Sequence, residues 1–207
     1  MLTRRTVLTT SFATAAAMLV GDRPSFAQQL TKEEVFFDKD APVLGNPNGD
    51  VTVVEFFDYQ CPYCKKVHPT VEKVVKADGN VRLVLKDWPI FGDASVFAAQ
   101  AVLGAAQIGK YRPAMEALMK TKAKLSHDDI EKALTGAGLS MKELTAAVNA
   151  HNAKISGLLD RNYNQALAFN FAGTPSFVIG SAIIPGVLDE KGLKSAIAKA
   201  RGSGPRR

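Results

Sequence analysis

Residues 51–66 read VTVVEFFDYQCPYCKK and contain Cys61 and Cys64, the only two cysteines among 207 residues. Val51 to Phe57 is β-branched or aromatic and apolar at nearly every position, which predicts a strand covered on both faces. Glu55 is the one charge inside it. Cys61 then opens a helical pattern carried by Val67, Val71, Val74 and Val75 and ending near Asp78-Gly79-Asn80, with Pro69 expected to kink it.

A Cys-x-x-Cys placed after a buried strand and at the start of a helix sets its first sulfur beside unpaired backbone N–H groups and the positive end of the helix dipole. That setting favours thiolate over thiol, making Cys61 both an attacking and a leaving group in thiol–disulfide exchange. Cys64 lies three residues on, on the same helix face, and can close or release a disulfide. Pro62 suits a first helical position, where no N–H is missed. Two other uses of the pair are weaker. A tetrahedral metal site needs two more ligands, and His68, His127 and His151 stand in no paired spacing. A purely structural bridge three residues long is geometrically tight and closes almost no loop.

Outward from this stretch, residues 28–50 form a polar lead-in ending in the turn signal Gly45-Asn46-Pro47-Asn48-Gly49-Asp50. Val81 to Trp88 alternates as a second strand closed by Pro89. From Asp93 to about Phe169 the pattern is helical, broken at Gly109, around Lys124-Leu125-Ser126 and at Gly136-Ala137-Gly138, with Ser126 and Asp129 placed as an N-cap and its acidic third residue. Short strands return at Ser176 to Ile179 and Ala182 to Pro185, followed by a helix from about Asp189 to Ala200. Strand, helix, strand, helical block, strand, strand, helix implies an α/β fold: one mixed sheet flanked by helices, with a helical domain inserted into a loop. The boundaries are 51–92 and 170–201 for the sheet domain and 93–169 for the insertion, with 202–207 a disordered tail.

Glu55-Phe56-Phe57-Asp58-Tyr59-Gln60-Cys61-Pro62-Tyr63-Cys64-Lys65, with Gly173-Thr174-Pro175-Ser176-Phe177-Val178-Ile179-Gly180 more than a hundred residues later, resembles the DsbA family of the thioredoxin superfamily. The resemblance spans about residues 41 to 200 and implies a thioredoxin-like fold with an inserted helical domain. It implies a cis peptide at Pro175 beside the redox pair, with Thr174 and Pro175, together with Pro62 and Tyr63, contacting an extended substrate. It also places at Glu55 the buried acid that thioredoxin-like proteins carry beneath the disulfide. A carboxyl in an apolar strand has a raised pKa and can exchange a proton with Cys64; an edge-strand acid facing water is the alternative. Lys65, Lys66 and His68 read as a solvated face, Asp58 and Tyr59 as the rim around the cysteines, and Trp88 and Phe91 as packing beside Pro89.

Residues 1–27 carry Arg4 and Arg5, an uncharged apolar run from Val7 to Val20, and Ser25-Phe26-Ala27 in a small-x-small pattern, the marks of a cleavable export signal. The run of about 14 residues falls short of the roughly 20 that span a bilayer. Thr3 to Leu8 is similar to a twin-arginine signal, and an ordinary secretory n-region fits as well. Either leads to the periplasm or another oxidising compartment, where disulfides persist. Without this segment 23 basic and 19 acidic residues remain, a net +4, with no basic stripe interleaved with aromatics, so nucleic acid is not an expected partner.

These readings converge on an exported thiol–disulfide oxidoreductase, expected to be a monomer, with dithiol oxidase activity foremost and a reductase or isomerase as the alternative. Pro62-Tyr63 departs from the proline-histidine pair of the best-known oxidases, and Thr174 resembles the residue of isomerases and reductases. The expected partners are cysteine-containing exported proteins and a membrane redox protein, quinone-linked for an oxidase or an electron donor for a reductase. No metal or organic cofactor is expected beyond the Cys61–Cys64 pair. A thioredoxin-like metal-binding module is the alternative from another class.

Overall fold

The computed structural model describes residues 30–122 and 124–202. Residues 1–27, the expected export signal, and residues 203–207 of the expected tail lie outside the described residues. The elements run α1 (Lys32–Phe36), β1 (Val43–Gly45), β2 (Val51–Phe57), α2 (Pro62–Asp78), β3 (Val81–Asp87), α3 (Asp93–Gln107), α4 (Tyr111–Met119), α5 (His127–Gly136), α6 (Met141–Ala150), α7 (Asn152–Ala168), β4 (Ser176–Ile179), β5 (Ala182–Pro185) and α8 (Glu190–Gly202).

The five strands form one mixed sheet in the order β1-β3-β2-β4-β5. β2 and β3 are parallel, with Glu55 opposite Leu85 and Phe57 opposite Asp87. The remaining pairings are antiparallel. β2 lies inside the sheet with helices over both faces, which is why its sequence is apolar at nearly every position instead of alternating. Its odd-numbered residues Val53 and Phe57 join Leu83, Leu85 and Phe177 in the core under α2 and α8. Its even-numbered residues Val54 and Phe56 join Val84, Trp88 and Phe171 in a second core on the other face, which α1 and α7 cover.

Helices α3 to α7 all lie between β3 and β4 in the chain. Both expected strand pairs and the breaks near Gly109, Ser126 and Gly138 are present, and Ser126 makes the reciprocal capping box with Asp129. Two features depart from the sequence reading. The lead-in contributes α1, opened by a Thr31–Glu34 capping box, and β1, a three-residue edge strand on β3; both are too short to carry a periodic signal. The helical pattern also breaks at His151, between α6 and α7, with no glycine or proline to announce it.

α2 runs through Pro69 without ending there and stops at Gly79, whose left-handed φ of 73° fits a residue without Cβ. A part-buried ionic cluster ties the lead-in to the insertion. Arg161 of α7 donates from Nε and Nη2 to both Asp38 oxygens (2.9 and 3.0 Å), and the buried Lys86 ammonium of β3 lies 3.4 Å from Asp38 Oδ2. Burial pulls Lys86 down to about 8, and Asp38 opposes that shift.

Candidate active site

The β2–α2 connection positions the cysteines. Cys61 is the N-cap of α2, with extended backbone (φ −71°, ψ 117°), so its side chain turns back over the first helical turn. The Cys64 N–H donates to Cys61 Sγ at 3.4 Å. The Cys61 thiol in turn donates to the Thr174 carbonyl at 3.2 Å. Both cysteines are free thiols, and the pair faces each other across one turn, Cys61 1% exposed and Cys64 0%. Pro62 and Tyr63 stand outside, Tyr63 at 60% exposure.

The two sulfurs have opposite acidities. The Cys64 thiol, by donating to Cys61, is the largest influence lowering Cys61 to about 6; burial opposes it, and the Thr174 side chain and the Cys64 and Tyr63 N–H groups add to it. Cys64 is pushed far up, by burial first, then by its donation to Cys61 and by the nearby Glu55 carboxyl. One thiol is thus poised to ionise near neutral pH while the other keeps its proton, the asymmetry that thiol–disulfide exchange uses.

Glu55 is 1% exposed, in the interior of the sheet between Leu85 and Phe177, so it is not a water-facing acid on an edge strand. Neither carboxyl oxygen has a hydrogen-bond partner among the described residues. Burial, followed by the charge at Cys61, raises its pKa to about 8. Thr174 and Pro175 close the site from the β4 side. Their peptide is cis, and the Pro175 carbonyl accepts the Gly186 N–H at 3.0 Å. Of the residues singled out from the sequence, Cys61, Cys64, Glu55 and Thr174 therefore meet around the α2 N-terminus, with Pro175 adjoining and Pro62 and Tyr63 on the surface beside them.

Asp58 and Tyr59 lie beneath the cysteines, not on their rim. Asp58 is buried and accepts four hydrogen bonds: from the Gln60 N–H (2.7 Å), the Ser95 hydroxyl (2.7 Å) and the N–H groups of Ile90 (2.7 Å) and Phe91 (3.2 Å). It pins the β3–α3 loop to the segment before Cys61. Tyr59 packs edge-on against Phe57. His68 is likewise buried, 3.7 Å from Glu72, whereas Lys66 is exposed as expected. A second buried acid, Asp87 of β3, is raised by burial to about 7. The sequence signal for it was present, since it sits two residues after Leu85 on the face that Glu55 shares. Among the described residues no three His, Cys, Asp or Glu side chains gather as metal ligands, and no helix is long and apolar enough to cross a membrane.

Residues 38–199 match the thioredoxin family. A thioredoxin-like oxidoreductase from Silicibacter pomeroyi DSS-3 is 40% identical, with a TM-score of 0.81 over 84% of this chain and 100% of that one. The thiol-disulfide exchange protein alpha-DsbA2 from Wolbachia pipientis is 25% identical, with a TM-score of 0.76 over 81% of this chain and 90% of that one. The thiol:disulfide interchange protein DsbA of Burkholderia cepacia is 30% identical over 64% of each chain. The chain spans only about a quarter (26%) of a Na(+)/H(+) antiporter NhaA 1 from Mycolicibacterium gilvum, to which it is 24% identical over 77% of its own length.

Proposed function

The chain belongs to the thioredoxin family as a DsbA-like thiol–disulfide oxidoreductase, and from that premise we propose that it is an exported dithiol oxidase acting on cysteine-containing client proteins. The observation that carries the direction is the Cys61 sulfur at the α2 N-cap, accepting the Cys64 N–H. A stabilised Cys61 thiolate stabilises the dithiol form, and the corresponding disulfide is then a strong oxidant.

In the reaction a client thiolate attacks Cys61 Sγ of the Cys61–Cys64 disulfide. The S–S bond breaks, and Cys64 leaves with the electron pair. Neutral Glu55, beneath it, supplies the proton that Cys64 takes up, since the buried carboxyl holds that proton up to about pH 8. A second client thiolate then attacks the client sulfur of the mixed disulfide, and Cys61 leaves as a thiolate held by the helix terminus. The client loses two electrons and gains a disulfide; the protein gains two electrons and becomes the dithiol. A quinone-linked membrane protein is the class of oxidant that restores the disulfide. Thr174-Pro175, with Pro62 and Tyr63, aligns the client chain. The redox pair is the only prosthetic chemistry in this reading.

The cleavable signal in residues 1–27 delivers the protein to the periplasm or an equivalent oxidising compartment, where it acts as a monomer. A periplasmic thioredoxin-like protein from Salmonella enterica serovar Typhimurium, 27% identical, supports that location. Thr174 favours a second reading, a reductase or isomerase kept reduced by a transmembrane electron donor. The discriminating experiment measures the Cys61–Cys64 reduction potential together with refolding of reduced ribonuclease by the oxidised protein. An oxidising potential with stoichiometric refolding supports the oxidase; a strongly reducing potential with no refolding assigns the reductase.

A further inference from the structure

The lysine that follows the redox pair is bound in an unusual way for a helix-surface cation. Lys65 Nζ donates toward Thr121 Oγ1 at 2.6 Å, the Lys122 carbonyl at 2.8 Å, the Leu118 carbonyl at 3.0 Å and the Thr121 carbonyl at 3.2 Å. An ammonium has three N–H bonds, so four oxygens saturate it. The oxygens belong to the last turn of α4 and the residues after it, where helix carbonyls lack intrahelical partners and the dipole favours a cation. Lys66, one residue on, is simply exposed. On the other side of the pair, Gln60 Oε1 accepts the Leu125 N–H at 2.8 Å, while its Nε2 donates to Ser95 Oγ at 3.0 Å. The residues flanking Cys61 and Cys64 thus grip the α4–α5 connection at both ends.

We propose that Lys65 is a positioning residue that ties the end of α4 to the redox helix and holds a fixed positive charge beside the pair, so that the Cys61 thiolate and the α4 terminus stabilise one another. Half-burial draws Lys65 down to about 8, and Asp58, Cys64 and Cys61 oppose that shift, so the ammonium and the site's negative charge already interact. The coupling is reciprocal. A charge that steadies the thiolate is itself steadied by it, and forming the disulfide removes that support. The grip on Leu118, Thr121 and Lys122 is therefore tighter in the dithiol protein than in the disulfide protein. This inference rests on the redox reading of the pair.

The test compares the reduced wild type with Lys65→Met and Lys65→Arg, following thiolate absorbance against pH, thermal unfolding, and hydrogen exchange at residues 118–125. Lys65→Met is expected to raise the Cys61 pKa by about half a unit to one unit, a roughly three- to tenfold loss of thiolate at a pH below the transition. Lys65→Arg, which keeps the charge, restores the wild-type value. In the wild type, exchange at 118–125 is expected to be severalfold slower in the dithiol than in the disulfide form. Should Lys65→Met not fold, Lys65→Gln, which removes the charge but keeps a side-chain donor for the α4 terminus, takes its place and is expected to raise the Cys61 pKa likewise and to abolish most of that redox difference. The proposal is overturned if Lys65→Met melts earlier but titrates like the wild type, or if exchange at 118–125 ignores the redox state. Either result alongside normal thiol–disulfide exchange sinks only this inference; absent exchange in the wild type sinks the functional reading itself.

Discussion

The carbonyl of Thr174 lies 3.2 Å from Cys61 Sγ, although 113 positions separate the two residues. The helical block α3–α7 intervenes in the chain, and the sheet brings the ends back together because β4 pairs with β2, Glu55 opposite Phe177. Cys61 is thereby held from two directions, by the α2 backbone and by the segment leading into β4.

The Cys64 and Tyr63 backbone N–H groups still face Cys61 when the Cys64 sulfur is gone, so part of its activation survives that loss. Cys64→Ser is expected to remain reactive but unable to resolve, accumulating mixed disulfides with a cysteine peptide, visible by mass spectrometry. Cys61→Ser is expected to trap none. Equal trapping by the two variants would contradict the assigned roles.

Glu55 makes a prediction in pH. Its carboxyl ionises near 4.5 in the unfolded chain and near 8 in the folded one. Between those values the native state binds the extra proton, so stability falls as pH rises from about 4.5 to 8. Glu55→Gln is expected to flatten that slope and to be more stable than the wild type at pH 8 by a few kcal/mol, about 2–4. It is also expected to slow disulfide exchange at pH 7 by roughly 10- to 100-fold. Urea unfolding at several pH values and stopped-flow exchange check the two parts. A variant faster than the wild type would remove Glu55 from the proton path.

The β2–α2 unit was legible because two local signals agreed: a strand apolar on both faces and a Cys-Pro start to a valine-striped helix. Cys61 and Cys64 followed from it, and Glu55 stood out as the one charge in a buried strand. The roles of Asp58 and Lys65 were not legible. Asp58 satisfies N–H groups of residues 90 and 91, and Lys65 caps a helix more than fifty residues away. Such partners are set by how the insertion packs on the sheet, and neither composition nor spacing near the cysteines encodes them. β1 escaped for a different reason: three residues at a sheet edge carry no period.

Asp58→Ala leaves the Ile90, Phe91 and Gln60 N–H groups and the Ser95 hydroxyl without their common acceptor. Several charge-assisted bonds are lost at a buried site, and the expected cost is about 3 kcal/mol or more in urea unfolding. Asp58→Asn, able to accept at one oxygen only, is expected to fall between. A loss under about 0.5 kcal/mol would mean that the loop is held by other contacts.

Asp38→Asn leaves the buried Lys86 ammonium without its counter-charge and is expected to cost about 3 kcal/mol. Replacing Lys86 as well, by Met, is expected to recover most of that loss, because no charge then remains buried. Failure of the double variant to recover would show that Arg161 carries the cluster by itself.

At the α2 terminus one sulfur of the pair is polarised and the other keeps its proton. Thiolate absorbance of the reduced protein, titrated from pH 4 to 9, reads that difference. One transition near pH 6 is expected, absent in Cys61→Ser and kept in Cys64→Ala at a higher pH, because no side chain at position 64 then donates to Cys61. A first transition only above pH 8, or two transitions of equal amplitude in the wild type, would contradict it.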